Sequence, residues 1–254
     1  MKREMITVNN FYKDPEAVVR YAMTLRYYNP YADNWRGSNT PEAMAHTGWR
    51  TSMFKKAKEC PFKSSSSFIR TLETITGEEI DLAHWNKDYP EDPETGAIID
   101  SPDYLADPTK GLLYSNLIPN SVSCRWNCAF HVKHYKHRAF GEGVHDHIED
   151  AWSGVGADGW TGLIYLTKDA PRAAGLKIMK NKYGNDRERF TDPDRWELVD
   201  DFANVYNRLI LVRGWMPHVG GDGFGTTLEN GRLFQTLFFK TKQTLTVASC
   251  EITL

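Results

Sequence analysis

The stretch GVHDHIED, residues 143–150, places two histidines and three carboxylates within eight residues. It lies eight residues before the apolar run GWTGLIYLT. Two imidazoles and one carboxylate on one face of a metal form a mononuclear non-haem iron centre, which leaves positions open for a co-substrate and oxygen. The stretch is therefore either a metal site at the mouth of a β-structure or a solvated polar loop.

A His-x-Glu pair at the end of a strand is an economical source of two of these ligands, because residues two apart project to the same side. His147 and Glu149 form such a pair, and His218 in RGWMPHVGG follows another strand-like run. His145 and His147 have the same spacing, however. His145 is therefore the alternative first ligand, in which case His147 occupies the position of the acid.

Arg232 lies further along the chain, at the start of a run whose alternation places Arg232, Phe234 and Thr236 on one face. A buried arginine suits a dicarboxylate ligand, because its guanidinium pairs with a carboxylate through two parallel hydrogen bonds. An exposed arginine and an internal salt bridge are the alternatives.

The bulk composition describes an ordinary globular chain of 254 residues with a net charge of −2. This balance gives no indication of a nucleic-acid partner. The beginning, MKREMITVNN, lacks the apolar core of a secretory signal, and no run is long enough for a membrane span. We therefore expect a cytoplasmic protein with no membrane association, whose four cysteines are free thiols.

Two helices have clear start signals. Asp14 and Pro15 predict the beginning of the first helix, and the serines of SSSSFIRTLETITGEE predict a second one that ends at Gly77. The segment from Tyr89 to Lys110 is rich in Pro, Asp and Gly and predicts a surface loop. A helical turn is predicted from Trp196 to Ala203.

Short strand-like runs dominate from about Asn116 onward, namely WNCAFHVKHY, TGLIYLT, NRLILVRGW, GRLFQTLFFKT and QTLTVASCEITL. Helices followed by many short strands indicate an α+β, mainly β fold, a β-sandwich or jelly roll buttressed by N-terminal helices. We expect one domain over residues 1–254. Residues 1–115 form its helical and loop support, and residues 116–254 form its β core.

Three segments resemble the Fe(II)/2-oxoglutarate-dependent oxygenases, within them the prolyl-4-hydroxylase-like group of phage and bacterial genomes. NNFYKDPEAVVRYAMTL is similar to the opening helix of that group, and GWTGLIYLTKDAPRAAGLKIMKNK to its central strand pair. NRLILVRGWMPHVGGDGFGTTLENGRLFQTLFF resembles its closing segment and is the most specific of the three.

The resemblance implies a double-stranded β-helix, and iron held by His147, Glu149 and His218. It also implies that Arg232 binds the distal carboxylate of 2-oxoglutarate. Tyr135 is a candidate hydrogen-bond donor to the same co-substrate. The implied reaction is that of a dioxygenase, in which O2 and 2-oxoglutarate hydroxylate an unidentified small-molecule or peptidyl substrate in a bacterial or phage-infected cell.

Two other functions are compatible with the same residues. One is a jelly-roll binding module that has kept the fold without the chemistry, since the usual Asp is missing from the first ligand pair. The other is a cupin-like metalloprotein in which three histidines, His145, His147 and His218, bind the metal without 2-oxoglutarate.

Overall fold

The structure, a computed structural model, describes residues 3–25, 27–28, 48–51, 60–86, 127–134, 143–148, 154–184 and 193–242. This part of the chain consists mostly of antiparallel β-sheet with a few helices. The ten strands are β1 (Met5–Val8), β2 (Tyr27–Tyr28), β3 (Gly48–Thr51), β4 (Phe130–Lys133), β5 (Trp160–Tyr165), β6 (Leu176–Asn181), β7 (Trp196–Phe202), β8 (Leu209–Arg213), β9 (His218–Gly220) and β10 (Arg232–Phe239). The α-helices are α1 (Pro15–Met23), α2 (Ser66–Thr76) and α3 (Leu82–Trp85), and a 3-10 turn covers Pro193–Arg195.

The two predicted helices are confirmed, together with their caps. The Asp14 side chain accepts a hydrogen bond from the Ala17 N–H at 2.9 Å, and Pro15 opens α1. The Ser65 hydroxyl accepts from the Phe68 N–H at 3.2 Å, which begins α2. Gly77 ends α2 with a left-handed φ of 72°, which glycine adopts at little cost.

The strands form two sheets. Seven strands pair in the order β1-β8-β5-β10-β4-β3-β2, and three pair in the order β7-β6-β9. All of these pairs are antiparallel. Three strands of the large sheet, β1 to β3, come from the first 115 residues, where the sequence indicated only helices and loops.

The central strands of the large sheet, β5, β8 and β10, are buried on both faces and alternate between two cores. On one face Trp160, Ile164 and Leu237 pack with α1, α2 and α3 in the larger hydrophobic cluster. On the other face Leu163, Tyr165 and residues of β8 and β10 pack against Leu176 and Ile178 of the small sheet. The second cluster therefore fills the space between the sheets.

The helical turn predicted from Trp196 to Ala203 is wrong, because residues 196–202 form strand β7. Only Trp196 of this strand is buried, while Leu198 and Val199 are exposed, so its sequence carries no period-2 signal. Pairing with β6 holds the strand extended, and tertiary pairing overrides the local preference.

A charged cluster ties the N-terminal segment to the large sheet. Arg213 at the end of β8 is 3% exposed, donates to Glu78 at 3.0 Å and to the Asp158 carbonyl at 2.6 Å, and stacks over Trp160. Trp160 Nε1 also donates to Glu78 at 3.0 Å. Burial acts to raise the pKa of Glu78, but hydrogen bonds from Arg213, Thr241 and Trp160 outweigh it and lower that pKa.

We predict that Glu78→Gln lowers the free energy of unfolding by about 3 kcal/mol at pH 7, because it leaves the buried Arg213 without its counter-charge. A carboxylate with a lowered folded-state pKa stabilises above its unfolded-state pKa and loses that effect as the pH falls. The difference between wild type and variant should therefore shrink as the pH falls from 7 towards 3 in urea unfolding. Glu79→Gln removes the exposed neighbouring partner of Lys242 and is the matched control, expected to leave stability unchanged. Equal effects of the two substitutions would contradict the prediction.

Candidate metal centre

Three histidines converge at one end of the space between the sheets. His145, His147 and His218 each offer a ring nitrogen, and the three nitrogens lie within 4.8 Å of one another. The ring centroids are 4.9 Å apart for His145 and His147, 4.9 Å for His145 and His218, and 5.0 Å for His147 and His218. His147 and His218 are buried, and His145 is partly exposed. Convergence of three imidazoles is compatible with binding of Zn, Cu, Fe or Ni.

Backbone pairing determines this convergence. The His145 N–H donates to the His218 carbonyl at 3.1 Å, and the His218 N–H donates back to the His145 carbonyl at 2.9 Å. This antiparallel bridge adds residue 145 to the small sheet beside β9. His147, two residues further along, donates its N–H to the Gly214 carbonyl at 2.8 Å. Both histidines of the pair therefore face His218.

Hydrogen bonds to backbone carbonyls orient two of the three rings. Nδ1 of His145 is 2.9 Å from the Gly143 carbonyl, and Nδ1 of His218 is 2.8 Å from the Met216 carbonyl. Because a carbonyl oxygen can only accept, Nδ1 carries the proton and the lone pair lies on Nε2. This is the arrangement that metal-binding histidines commonly have. His147 packs edge-on against Phe238, with ring centroids 5.0 Å apart.

Asp146, the carboxylate between His145 and His147, forms a hydrogen bond within a local turn. Asp146 is buried, and its Oδ1 accepts a hydrogen bond from the Ile148 N–H at 2.9 Å. Among the described residues it is not one of the clustered metal-binding groups. Glu149, the carboxylate of the predicted triad, lies outside the described residues, and so does Tyr135.

Arg232 is 1% exposed and belongs to the face of β10 that lines the space between the sheets. Its Nε donates to the Ala174 carbonyl at 2.7 Å, and Nη2 donates to the Gly175 carbonyl at 2.9 Å. A Cβ atom on Gly220 would lie 3.3 Å from Nη1, so the guanidinium lies directly beside β9. Gly220 follows His218 by two residues, a distance of about 6.6 Å along a strand.

Tyr165 is a site residue that the sequence analysis did not identify. Its hydroxyl is buried, and its ring centroid lies 5.6 Å from the Arg232 guanidinium carbon. Burial raises the pKa of Tyr165, and the positive charge of Arg232 acts in the opposite direction. Tyr165 and Leu163 lie two residues apart in the run TGLIYLT, so their side chains project to the same face of the strand. That face packs against the small sheet. This spacing was the sequence signal for the position of Tyr165.

His131 adds a further polar group to the same face. It is buried, stacks on Phe234 with centroids 5.4 Å apart, and its Nε2 lies 3.3 Å from the Thr236 hydroxyl. The sequence analysis gave this histidine no role in the site. The space between the sheets therefore has His131, Thr236, Tyr165 and Arg232 on one wall, with the three-histidine cluster at one end.

Comparisons with known proteins give no family assignment. No family model and no curated protein matches this chain. Among solved structures, a candidate oxygenase from Shewanella oneidensis has 13% identity and a TM-score of 0.35, with 94% of this chain and 82% of that chain covered. A prolyl-4-hydroxylase from Pseudomonas putida has 12% identity and a TM-score of 0.21, with 85% of this chain and 97% of that chain covered. Likeness at this level supports no conclusion about fold or function. No helix in the described ranges has the length and apolar character needed to cross a bilayer.

Gly214 is predicted to be essential for the geometry of the cluster. A Cβ atom there would lie 2.2 Å from the Gly156 carbonyl oxygen, so Gly214→Ala must displace the turn whose carbonyls hold His147 and the ring of His218. We expect metal affinity to fall by about ten-fold or more in a Co(II) titration.

Trp215→Ala is the matched control for this prediction. Trp215 belongs to the same turn but is 38% exposed, so its loss should leave metal affinity near that of the wild type. Wild-type affinity in Gly214→Ala would show that the turn does not position the ligands.

Proposed function

We propose that this protein is a non-haem iron oxygenase that uses 2-oxoglutarate to hydroxylate its substrate. The observation that carries the proposal is the convergence of three imidazoles beside a buried arginine, between two antiparallel sheets. Bound iron and 2-oxoglutarate would supply the activation of O2 and the oxidation of a substrate C–H bond.

The order of strands supports a double-stranded β-helix. From β4 onward the chain passes from the large sheet to residue 145 beside the small sheet, then to β5 in the large sheet. It returns to the small sheet for β6 and β7, and then alternates through β8, β9 and β10. Residues 116–254 are the proposed core of this fold, with residues 1–115 as its support.

The chemistry of the donor set fits a first-row transition metal. His147 and His218 are the proposed ligands in either register of the motif. The position of His145 in the cluster favours it as the third ligand, and Glu149 is the alternative from the sequence. Carbonyl acceptors at Nδ1 of His145 and His218 keep Nε2 available as a ligand atom and fix both rings before the metal arrives.

Arg232 and Tyr165 fit the distal carboxylate of 2-oxoglutarate. The guanidinium lies beside Gly220, about 6.6 Å along β9 from His218, a separation that a five-carbon dicarboxylate can span. The Ala174 and Gly175 carbonyls hold the guanidinium in place, and the Tyr165 hydroxyl can donate a second hydrogen bond. The apolar walls of Leu163, Ile178 and Phe234 would exclude water from this end of the site.

A three-histidine metalloenzyme that does not use 2-oxoglutarate is the second candidate. The observation in its favour is that the clustered metal-binding groups, among the described residues, are all imidazoles. The two candidates differ in whether 2-oxoglutarate binds to the metal-loaded protein.

The proposal predicts a visible charge-transfer band when Fe(II) and 2-oxoglutarate are added anaerobically. His147→Ala and His218→Ala should both abolish the band, because each removes a metal ligand in either register. Loss of the band in His145→Ala but not in Glu149→Gln would assign the third ligand to His145, and the reverse result would assign it to Glu149. His84→Asn, on α3, is the control and should keep the band. Tight metal binding without a band would favour the second candidate, and a protein that binds neither iron nor Co(II) nor Zn(II) would contradict both.

Tyr165→Phe removes one hydroxyl and should weaken 2-oxoglutarate binding by about ten-fold, the effect of losing a hydrogen bond to a charged group. Its affinity for Fe(II) alone should not change, since the hydroxyl is not a proposed ligand. Isothermal titration of each component separates the two quantities. Tyr183→Phe, at a side chain that is 73% exposed, is the matched control. An unchanged 2-oxoglutarate affinity in Tyr165→Phe would exclude this role.

A further inference from the structure

A groove opens at the edge of the larger hydrophobic cluster, on the face of the large sheet that packs against the helices. Its volume is about 410 Å³, and its walls come from α1, the segment after β5, the segment before β8 and the turn before β10. A liquid water takes up about 30 Å³, so the groove has room for about a dozen non-hydrogen atoms. Clefts of this volume are the usual size of small-molecule sites in proteins.

The floor of the groove is apolar. Leu166 and Leu233 line it and are each 2% exposed. Val19 and Met23 of α1 also line it, pack against the larger hydrophobic cluster and are only partly buried. An alkyl chain that covers these side chains removes apolar surface from water, which favours binding. The floor therefore fits the aliphatic part of a ligand.

Hydrogen bonds hold the walls of the groove in place. The Thr167 hydroxyl donates to the Gly231 carbonyl at 2.7 Å and accepts from the Leu233 N–H at 2.8 Å. These two bonds join the segment after β5 to the start of β10. The Asn230 side chain accepts from the Thr227 N–H at 2.8 Å, which closes the turn before β10. A site that is formed before the ligand arrives loses less conformational entropy on binding.

One ion pair on the rim of the groove is already formed. The Lys168 ammonium lies 2.7 Å from the Glu16 carboxylate and 5.6 Å from the centre of the Tyr206 ring. The Tyr206 hydroxyl also donates to Glu16 at 2.7 Å. Lys168, and then Tyr206, lower the pKa of Glu16 through these hydrogen bonds. An anionic ligand would have to compete with Glu16 for the ammonium group.

Two further carboxylates make the groove negatively charged. Asp169 and Glu229 both line it, and neither forms an ion pair within the described ranges. Hydrogen bonds from its own N–H and from the Thr227 hydroxyl lower the pKa of Glu229. The charged lining consists of three carboxylates and one ammonium group, which leaves a net charge of −2. A cation complements this charge.

We propose that the groove binds a small primary ammonium ion that carries an aliphatic chain. The chain lies on the apolar floor, and the ammonium group faces the Asp169 and Glu229 carboxylates. The groove is on the opposite face of the large sheet from the space that holds the three histidines. The proposal is therefore independent of the proposed oxygenase function.

The test is a titration of the full-length, metal-free protein with hexylammonium chloride, followed by amide-resolved NMR. Hexanol removes the charge of this probe, hexanoate reverses it, and methylammonium removes the chain. Hexylammonium should saturate, shift the amide signals of Lys168, Asp169 and Leu233, and bind about five-fold more tightly than hexanol, the effect of two exposed ion pairs. Methylammonium should bind more than about ten-fold more weakly, because it covers little of the floor.

The double variant Asp169→Asn with Glu229→Gln should lower the affinity for hexylammonium about five-fold and leave that for hexanol unchanged. Both side chains are exposed, so the variant should fold, and its amide spectrum shows whether it does. Glu197→Gln, at an exposed carboxylate on β7, is the matched control and should change neither affinity.

Three results would overturn the proposal. The first is the absence of saturable hexylammonium binding to the folded wild-type protein. The second is binding of hexanol or hexanoate that is as tight as that of hexylammonium. The third is a set of shifted signals confined to the three-histidine cluster.

Discussion

The two reciprocal backbone hydrogen bonds between His145 and His218 are the constraint on which the candidate site depends. These residues are far apart in the sequence, and an antiparallel hydrogen-bonded pair brings their side chains to the same side of the sheet. The same pairing places His147, because side chains two residues apart in an extended segment project to the same side. The site is thus a property of backbone register as much as of residue type.

The two faces of the large sheet carry different kinds of residue. Its helical face buries aliphatic and aromatic side chains from α1, α2 and α3, and this burial is the main source of folding free energy. Its other face carries Arg232, Tyr165 and His131, whose burial costs free energy unless a partner satisfies them. The Ala174 and Gly175 carbonyls supply such partners for Arg232.

The sequence was most informative where local chemistry determines local structure. The caps at Asp14, Ser65 and Gly77 define both long helices, since each supplies a hydrogen bond or a left-handed residue that a helix end requires. Alternation placed Arg232 on one face with Phe234 and Thr236 but left its burial open. Strand β7 was not predictable, because an edge strand that is exposed on both faces has no apolar period.

The sequence alone could not determine which histidines form the cluster. His145 and His147 have equal spacing to their neighbours, so the sequence alone gives two registers for the metal ligands. The choice depends on which residue pairs with β9, and that pairing is a long-range contact. Tyr165 was missed because every residue of β5 is buried, so the run shows no alternation that would separate its two faces.

Residue 145 is attached to the small sheet through a single backbone bridge, which affects how easily this segment can unfold locally. The remaining strands of the small sheet share ladders of three or more residues, whereas the described residues 143–148 share one pair with β9. Segments with few hydrogen bonds unfold locally at lower free energy than their neighbours. A metal held by His145 and His218 would add a second connection between this segment and β9, so that loading the site also stabilises this edge of the small sheet.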